Sequence, residues 1–204
     1  MFVNWQLREL NLKIVYYGPA LSGKTTNLEQ IYARVDPRRR SELVLLKTHE
    51  DRTLYFDFLQ LELGKIAGLI PRVQLYTVPG QVYYEASRRI VLRGVDGIVF
   101  VADSSADRLK ENIESLENLK YNLAALQIPM STLPVVIQYN KRDLPSAMPL
   151  RYLKDALQLD DQPAYEAIAI QGIGVFETLK AIVGSVLNAM QSQLRQGNSH
   201  DRTP

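Results

Sequence analysis

The stretch Gly18–Thr26, GPALSGKTT, restricts the possible folds more than any other part of the chain. It fits the pattern G-x-x-x-x-G-K-[ST], with the apolar run Leu12–Tyr17 before it and a helical pattern after it. In that setting the loop N–H groups and the start of the helix form a nest for phosphate oxygens. The sequence therefore predicts a polyphosphate-binding loop between a buried strand and a helix.

Residues within this loop have separate expected roles. The Lys24 ammonium can reach the β- and γ-phosphates of a nucleotide, and the Thr25 hydroxyl can ligate Mg²⁺. The methyl group of Ala20 is expected to leave phosphate binding intact but to crowd the space where an attacking water is aligned, which predicts slowed hydrolysis. The loop residues expected to contact a nucleotide are Gly18, Ala20, Leu21, Ser22, Gly23, Lys24, Thr25 and Thr26.

A second motif, Asn140-Lys141-Arg142-Asp143, follows the apolar run Pro134–Tyr139. The Asp143 carboxylate can accept hydrogen bonds from N1 and N2 of guanine, whereas adenine has an acceptor at N1 and no amine at C2. The Lys141 stem can lie along the plane of the base. Taken alone, the motif favours a charged turn after a strand; combined with the phosphate loop, it predicts a guanine nucleotide.

The order of apolar patterns predicts β-α-β-β-α-β-α-β-α-β-α. Thr53–Leu63 alternates and is expected to pair with a strand at Val73–Val78, and the run GIVFVA at Gly97–Ala102 is typical of a strand covered on both faces. We expect an α/β fold with a six-stranded, mostly parallel sheet, one antiparallel edge strand and helices on both faces. Ligands of such sheets bind at the carboxyl ends of the strands.

Three further segments complete this description. Residues 36–52 lack periodicity and are expected to form a long functional loop. The last strand is expected at Tyr165–Ile170, before a final helix. Residues 1–194 are interpreted as a single domain, and residues 195–204 as a polar, flexible tail.

Composition excludes several classes of protein. The 204 residues contain no cysteine, which rules out disulfides, thiolate metal sites and prenyl or palmitoyl anchors. No apolar run approaches the ~20 residues that span a bilayer, and the first residues lack a secretory apolar region. The net charge of +2 favours no particular partner, and no nucleic-acid motif accompanies the 11 tyrosines. We expect a cytoplasmic protein without a lipid anchor, a transmembrane segment or a nucleic-acid partner.

Four stretches together resemble the Ras-like small GTPases, and within them the bacterial gliding-motility GTPases. They are KIVYYGPALSGKTTNL, DRTLYFDFL, LYTVPGQVYYEASRRIVLRGVDGIVFVADS and VVIQYNKRDLP, and the likeness runs from Leu12 to about Met190. It implies a GTP-hydrolysing switch that uses Mg²⁺ and controls cell polarity and motility. It also implies slow hydrolysis alone, acceleration by a roadblock/LC7-fold homodimer of the MglB type, and recruitment to a cell pole through partners.

The resemblance assigns roles to five residues outside the two motifs. The Gly80 N–H would bind the γ-phosphate and Gln81 would orient the attacking water. Thr53 would approach Mg²⁺ in the triphosphate state, and Arg52 would be the arginine that enters the chain's own site. The Ala169 N–H would bind the guanine oxygen.

One position departs from the usual D-x-x-G pattern, because Thr77 opens Thr77-Val78-Pro79-Gly80. Threonine cannot supply the carboxylate that usually holds a Mg²⁺-bound water, so we expect a weakened metal site. Asp57 could compensate, although a charged residue in a strand more often lies on the solvated face. The resemblance further implies that the strand at 54–61 shifts along the sheet between states.

Two alternatives stay open at this point. A GTP-binding scaffold with negligible hydrolysis is compatible with Ala20 and Thr77, and turnover with and without the homodimer would separate it from a switch. A small P-loop kinase acting on a nucleotide or sugar is the other. The NKRD and TVPGQ motifs and the lack of an arginine-rich lid insertion argue against a kinase.

Overall fold

A single β-sheet covered by helices on both faces organises the chain. The computed structural model describes residues 2–45, 56–66, 68–80, 84–159 and 161–200. The strands are β1 (Phe2–Asn4), β2 (Glu9–Tyr17), β3 (Val44–Leu45), β4 (Asp57–Glu62), β5 (Ile70–Thr77), β6 (Gly97–Asp103), β7 (Val135–Asn140) and β8 (Ala164–Glu166). The α-helices are α1 (Lys24–Arg34), α2 (Glu85–Leu92), α3 (Leu109–Ala125), α4 (Leu150–Leu157) and α5 (Val175–His200).

The sheet is parallel at its centre and antiparallel towards one edge. Its order is β3-β4-β5-β2-β6-β7-β8, and β1 pairs with the first half of β2. Strands β5, β2, β6, β7 and β8 are mutually parallel, whereas β3 and β4 run antiparallel to their neighbours. The predicted α/β class, with a mostly parallel sheet and helices on both faces, is confirmed. The carboxyl ends of the parallel strands therefore meet at one edge, where ligands of such folds bind.

The predicted number of six strands was wrong, since the described residues alone form a sheet of eight. The two additional strands, β1 and β3, contain 3 and 2 residues, which is too short for an alternating pattern to be recognised. Strand β3 lies inside the segment 36–52 that was predicted to be a loop. Because it pairs with β4, the antiparallel strand β4 is not the edge of the sheet.

Alternation along β2 divides the apolar core into two halves. Leu12 and Ile14 face the cluster formed with α1 and α5, whereas Val15 and Tyr17 face the cluster formed with α2, α3 and α4. All four side chains are at most 1% exposed. The sheet is therefore buried on both faces, and the loop that follows β2 is held between two packed layers.

The side chains of β4 point alternately to the two faces of the sheet. Leu59 and Leu61 point into the cluster under α1. Phe56 and Phe58 lie on the opposite face, with ring centroids 5.6 and 4.9 Å from the ring of Tyr76. Since side chains alternate along a strand, Asp57, the first residue of β4, shares the inward face with Leu59.

The end of the predicted last strand was also wrong. Strand β8 stops at Glu166, and Ala169–Gln171 forms a single 3₁₀ turn. The Ile168 N–H donates to the Ile173 carbonyl at 3.0 Å, which closes a tight loop there. Helix α5 continues to His200, into the segment predicted to be a polar tail. Among the described residues, we find no helix with the length and apolar character needed to cross a bilayer.

Candidate functional site

The loop between β2 and α1 adopts a conformation that depends on its glycines. Gly23 precedes α1 with a φ of 100°, a left-handed conformation that favours glycine. A Cβ at Gly23 would overlap the Asn140 amide, and a Cβ at Gly18 would overlap the Val101 carbonyl. The loop therefore packs directly on β6 and β7 near their carboxyl ends.

Lys24 is the buried cation of this loop, with 7% of its surface exposed. Its Nζ donates to the carbonyl oxygens of Gly18 at 3.0 Å and Pro19 at 2.6 Å. Burial lowers the pKa of Lys24 to about 7; the Asp57 carboxylate raises that pKa and the Arg88 guanidinium lowers it. A phosphate above the loop would favour the charged ammonium, because an adjacent negative charge stabilises the protonated form.

Asn140 connects the two predicted motifs. Its Nδ2 donates to the Ser22 carbonyl at 2.7 Å, and its Oδ1 accepts from the Ala169 N–H at 2.9 Å. Lys141, with a φ of 65°, donates from Nζ to Asp103 Oδ2 at 2.6 Å. The ion pair holds the lysine side chain at the carboxyl end of β6, and its contact with a base stays a prediction.

A cavity of ≈ 230 Å³ lies between the two motifs. It is lined by Leu21, Gly23, Thr26, Asn140, Lys141, Asp143, Leu144, Ala169 and Ile170. Most of these residues were expected to contact a nucleotide, and Asp143 stands among them on the exposed side. The Ala169 N–H is already bonded to Asn140, so its contact with the guanine oxygen stays a prediction.

Asp57, the first residue of β4, lies at the opposite end of the phosphate loop. Its Oδ2 accepts hydrogen bonds from Thr25 Oγ1 at 2.5 Å and from Thr77 Oγ1 at 2.8 Å. The Asp57 N–H donates in turn to Thr77 Oγ1 at 2.9 Å. The expectation that Asp57 lies on the solvated face was wrong, because the alternation of β4 places it in the inward row.

The oxygen atoms at this end fit a hard divalent cation. Mg²⁺ prefers oxygen ligands, keeps several waters and is commonly held by one or two protein groups together with phosphate oxygens. Thr25 and Asp57 supply a hydroxyl and a carboxylate here. Within the described ranges, no group of three histidine, cysteine or acidic residues could enclose a metal, so a nucleotide would have to supply the remaining ligands.

The segment after β5 rests directly on the phosphate loop. A Cβ at Gly80 would overlap the backbone of Pro19 and Ala20. Arg88 of α2 is 6% exposed and donates from Nη1 to the Pro79 carbonyl at 3.5 Å. The Gly80 backbone therefore lies next to the phosphate loop, as a hydrogen bond from the Gly80 N–H to the γ-phosphate would require.

Three predicted residues cannot be located. Arg52, Thr53 and Gln81 lie outside the described residues, so their roles stay predictions.

A buried amide network behind the phosphate loop was missed by sequence reasoning. Asn27 of α1 and Gln138 of β7 exchange two hydrogen bonds of 2.7 and 2.9 Å, and Gln138 Nε2 also donates to Thr178 Oγ1 of α5 at 3.0 Å. Asn27 further donates to the Gly23 carbonyl at 2.9 Å. The only sequence signal was the polar Gln138 within the apolar run of β7.

Arg108 also contacts the loop, and nothing in its local sequence indicates this. Its Nη2 donates to the Ala20 carbonyl at 3.0 Å, and its Nη1 pairs with Glu111 at 2.9 Å. The guanidinium, from the turn that precedes α3, therefore restrains the loop at Ala20, the residue whose methyl group is expected to slow hydrolysis.

Arg108→Ala is expected to speed the release of a bound guanine nucleotide about fivefold. A partly exposed charge-assisted hydrogen bond is worth roughly 1 kcal/mol, and its loss loosens the loop at Ala20. The release of a fluorescent guanosine diphosphate analogue measures the effect. Lys110→Ala, a neighbouring and 84% exposed lysine, is the control. An unchanged release rate in the Arg108 variant would contradict the restraint.

Comparisons with known proteins agree with this geometry. Residues 1–196 match the ADP-ribosylation factor family. The chain is 53% identical over 190 residues to mutual gliding-motility protein MglA of Myxococcus xanthus, covering 93% of this chain and 97% of that protein. It is 31% identical to elongation factor 4 of Sorangium cellulosum over 79% of this chain and 27% of that protein. The elongation factor 4 of Desulfitobacterium hafniense gives 31% identity over 66% of this chain and 21% of that protein. The chain thus spans about a quarter of the length of these two elongation factors.

Proposed function

The chain belongs to the ADP-ribosylation factor family of small GTPases, and we propose that it is a GTP-hydrolysing switch controlling bacterial cell polarity and gliding motility. The family supports the general reaction, in which GTP and water give GDP and phosphate. The name of the Myxococcus relative and its 53% identity support the cellular process. The protein would work in the cytoplasm and reach a cell pole through partners.

The observation that carries this proposal is the bridge made by Asn140 between the phosphate loop and the turn at Ala169. It connects the residues proposed to bind the phosphates with those proposed to bind the base, and members of both groups line one cavity. Asp143 lines this cavity, and Lys24 lies in the phosphate loop beside it. A ligand that contacts both Lys24 and Asp143 carries a polyphosphate and the edge of guanine with two N–H donors.

The residues of the proposed site have separate roles in the reaction. The loop N–H groups and Lys24 hold the β- and γ-phosphates, and the Gly80 N–H contacts the γ-phosphate. Gln81 orients the attacking water, while Thr25 and Thr53 are the protein ligands expected for the metal. When bound, Mg²⁺ neutralises negative charge on the phosphates.

We expect slow hydrolysis by the protein alone. Arg52 and Gln81 must both be placed correctly, and an arginine in the site is worth roughly 10³–10⁵ in rate. A roadblock/LC7-fold homodimer of the MglB type is the proposed activator, which would press the 36–53 loop and Gln81 into place. The family resemblance supports this partner, as does the position of Arg52 directly before Thr53.

GTP turnover of the pure protein with and without the homodimer tests the proposal. We expect slow turnover alone and a large increase with the partner. Competition of ATP with a fluorescent guanine nucleotide tests base selection in the same preparation. Negligible turnover under both conditions, with GTP binding intact, would favour the alternative of a GTP-binding scaffold, which Ala20 and the missing carboxylate at Thr77 keep open.

Ala20→Gly is expected to raise single-turnover GTP hydrolysis about three- to tenfold, which corresponds to ~1 kcal/mol. The methyl group lies in the loop on which the Gly80 backbone rests, so its removal frees space near the attacking water. Ala33→Gly on the exposed side of α1 is the matched control for the added backbone freedom. A variant rate equal to that of the unaltered protein would count against crowding.

A further inference from the structure

Strand β4 brings the Asp57 carboxylate to Thr25, the hydroxyl expected to ligate the metal. Asp57 Oδ2 accepts from Thr25 Oγ1 at 2.5 Å, although the two residues lie on β4 and at the start of α1. Thr77, at the end of β5, clamps Asp57 twice, through its hydroxyl to Oδ2 and through the Asp57 N–H to its Oγ1. The carboxylate is therefore fixed by its neighbours and aimed at Thr25.

The arrangement matches a requirement of Mg²⁺ chemistry. This ion gives up its waters reluctantly, so proteins often hold it through a carboxylate that binds those waters. Thr77 occupies the position where the resemblance places such a carboxylate, and a hydroxyl carries no charge. Thr77 Oγ1 and Asp57 Oδ2 are 2.8 Å apart, so the missing charge lies one strand away from its usual place.

A purely solvated role for Asp57 does not fit the contacts. Its side chain shares the inward row of β4 with Leu59, which is fully buried. The exposed carboxylate of the same strand, Glu62, instead lies beside Arg72 at 3.9 Å. The two acidic residues of β4 thus have different environments, and Asp57 is the one directed to the phosphate loop.

We propose that Asp57 is a positioning residue for Mg²⁺, supplying from β4 the carboxylate that Thr77 lacks. The inference rests on the proposed GTP-binding function, because Mg²⁺ would reach this site together with the nucleotide phosphates. Thr77 then has its own role, which is to orient the Asp57 carboxylate toward Thr25.

The test is the dependence of GDP release on free Mg²⁺, measured with a fluorescent GDP analogue. Asp57→Asn keeps the shape and removes the charge. We expect the Mg²⁺ concentration that half-suppresses release to rise ten- to hundredfold, the range for outer-sphere partners of metals. Electron paramagnetic resonance of Mn²⁺ bound to the GDP complex should show a matching loss of affinity. Glu62→Gln, the same change on the same strand, should leave both values unaltered.

An exchange of the two side chains separates a metal role from a folding role. The double variant D57T/T77D returns the carboxylate to its usual position, and we expect Mg²⁺ dependence within about threefold of the original protein. If Asp57→Asn leaves the Mg²⁺ dependence unchanged, the inference is overturned. A second outcome also overturns it. In that outcome Asp57→Asn loses Mg²⁺ dependence or stability, and the double variant D57T/T77D restores neither property.

The proposed function fails separately. Should the unaltered protein bind no GDP, or release it at a rate independent of Mg²⁺, the fault lies with the GTP-binding assignment, and the inference falls with it. If GDP release depends on Mg²⁺ in the unaltered protein and to the same degree in the Asp57→Asn variant, only the inference about Asp57 is overturned.

Discussion

Asp143→Asn is expected to lower GTP affinity about a thousandfold and to create affinity for xanthosine triphosphate. The carboxylate would accept from N1 and N2 of guanine through two charge-assisted bonds of roughly 1.5–3 kcal/mol each, and 1.4 kcal/mol is tenfold in affinity. Xanthine has a carbonyl at C2, to which the asparagine amide can donate. The change therefore reverses donor and acceptor on one side of the base.

Displacement of a fluorescent guanine nucleotide by GTP, xanthosine triphosphate and ATP measures this reversal. Asp161→Asn, an exposed carboxylate outside the cavity, serves as the control and should keep the preference for GTP. Equal GTP affinity in the Asp143 variant would mean that the cavity does not select guanine through this residue.

Arg52→Ala is expected to remove most of the partner's acceleration, a loss of about 10³-fold or more, while GTP affinity stays within a few-fold of the original. The arginine would neutralise charge that develops on the phosphates only in the transition state, so its loss reduces rate and spares binding. Single-turnover hydrolysis with saturating roadblock/LC7 homodimer gives the rate, and nucleotide titration gives the affinity.

Arg38→Ala is the matched control for this variant. Arg38 lies in the same segment, 36–53, and pairs with Asp36 at 2.7 Å with 89% of its side chain exposed. Removing that charge should leave the stimulated rate unchanged. Stimulation that survives in the Arg52 variant would mean that the activating arginine comes from elsewhere.

Much of the fold followed from patterns that are local in sequence. The phosphate loop was predicted because its glycines, Lys24 and the strand–helix context are contiguous, and the structure confirms the loop between β2 and α1. The parallel centre of the sheet was predicted from buried runs such as Gly97–Ala102. By contrast, β1 and β3 owe their existence to pairing with distant strands, which a window of two or three residues cannot indicate.

The candidate site was predictable where a motif defines it and hidden where packing does. Ser22, Asn140 and most of the cavity residues came from contiguous motifs, whereas Ala169 came from the family resemblance and Leu144 and Ile170 were not predicted. Arg108 contacts the loop across 88 positions of sequence. Asn27 and Gln138 are bonded across 111 positions, so no local pattern points to either contact. The position of Asp57 was partly predictable. The alternation of β4 puts Asp57 in one row with Leu59, but only the position of α1 shows which row faces inward.

The register of β4 against β5 sets which chemical group stands beside Thr25. Phe58 is paired with Tyr76, which leaves Asp57 opposite Thr77. Sliding β4 by two residues would keep the same face inward but move the carboxylate ~7 Å and bring Leu59 opposite Thr77 instead. The Leu59 side chain would then replace the Asp57 carboxylate beside Thr25. The affinity for a divalent cation would therefore report the register of β4 against β5.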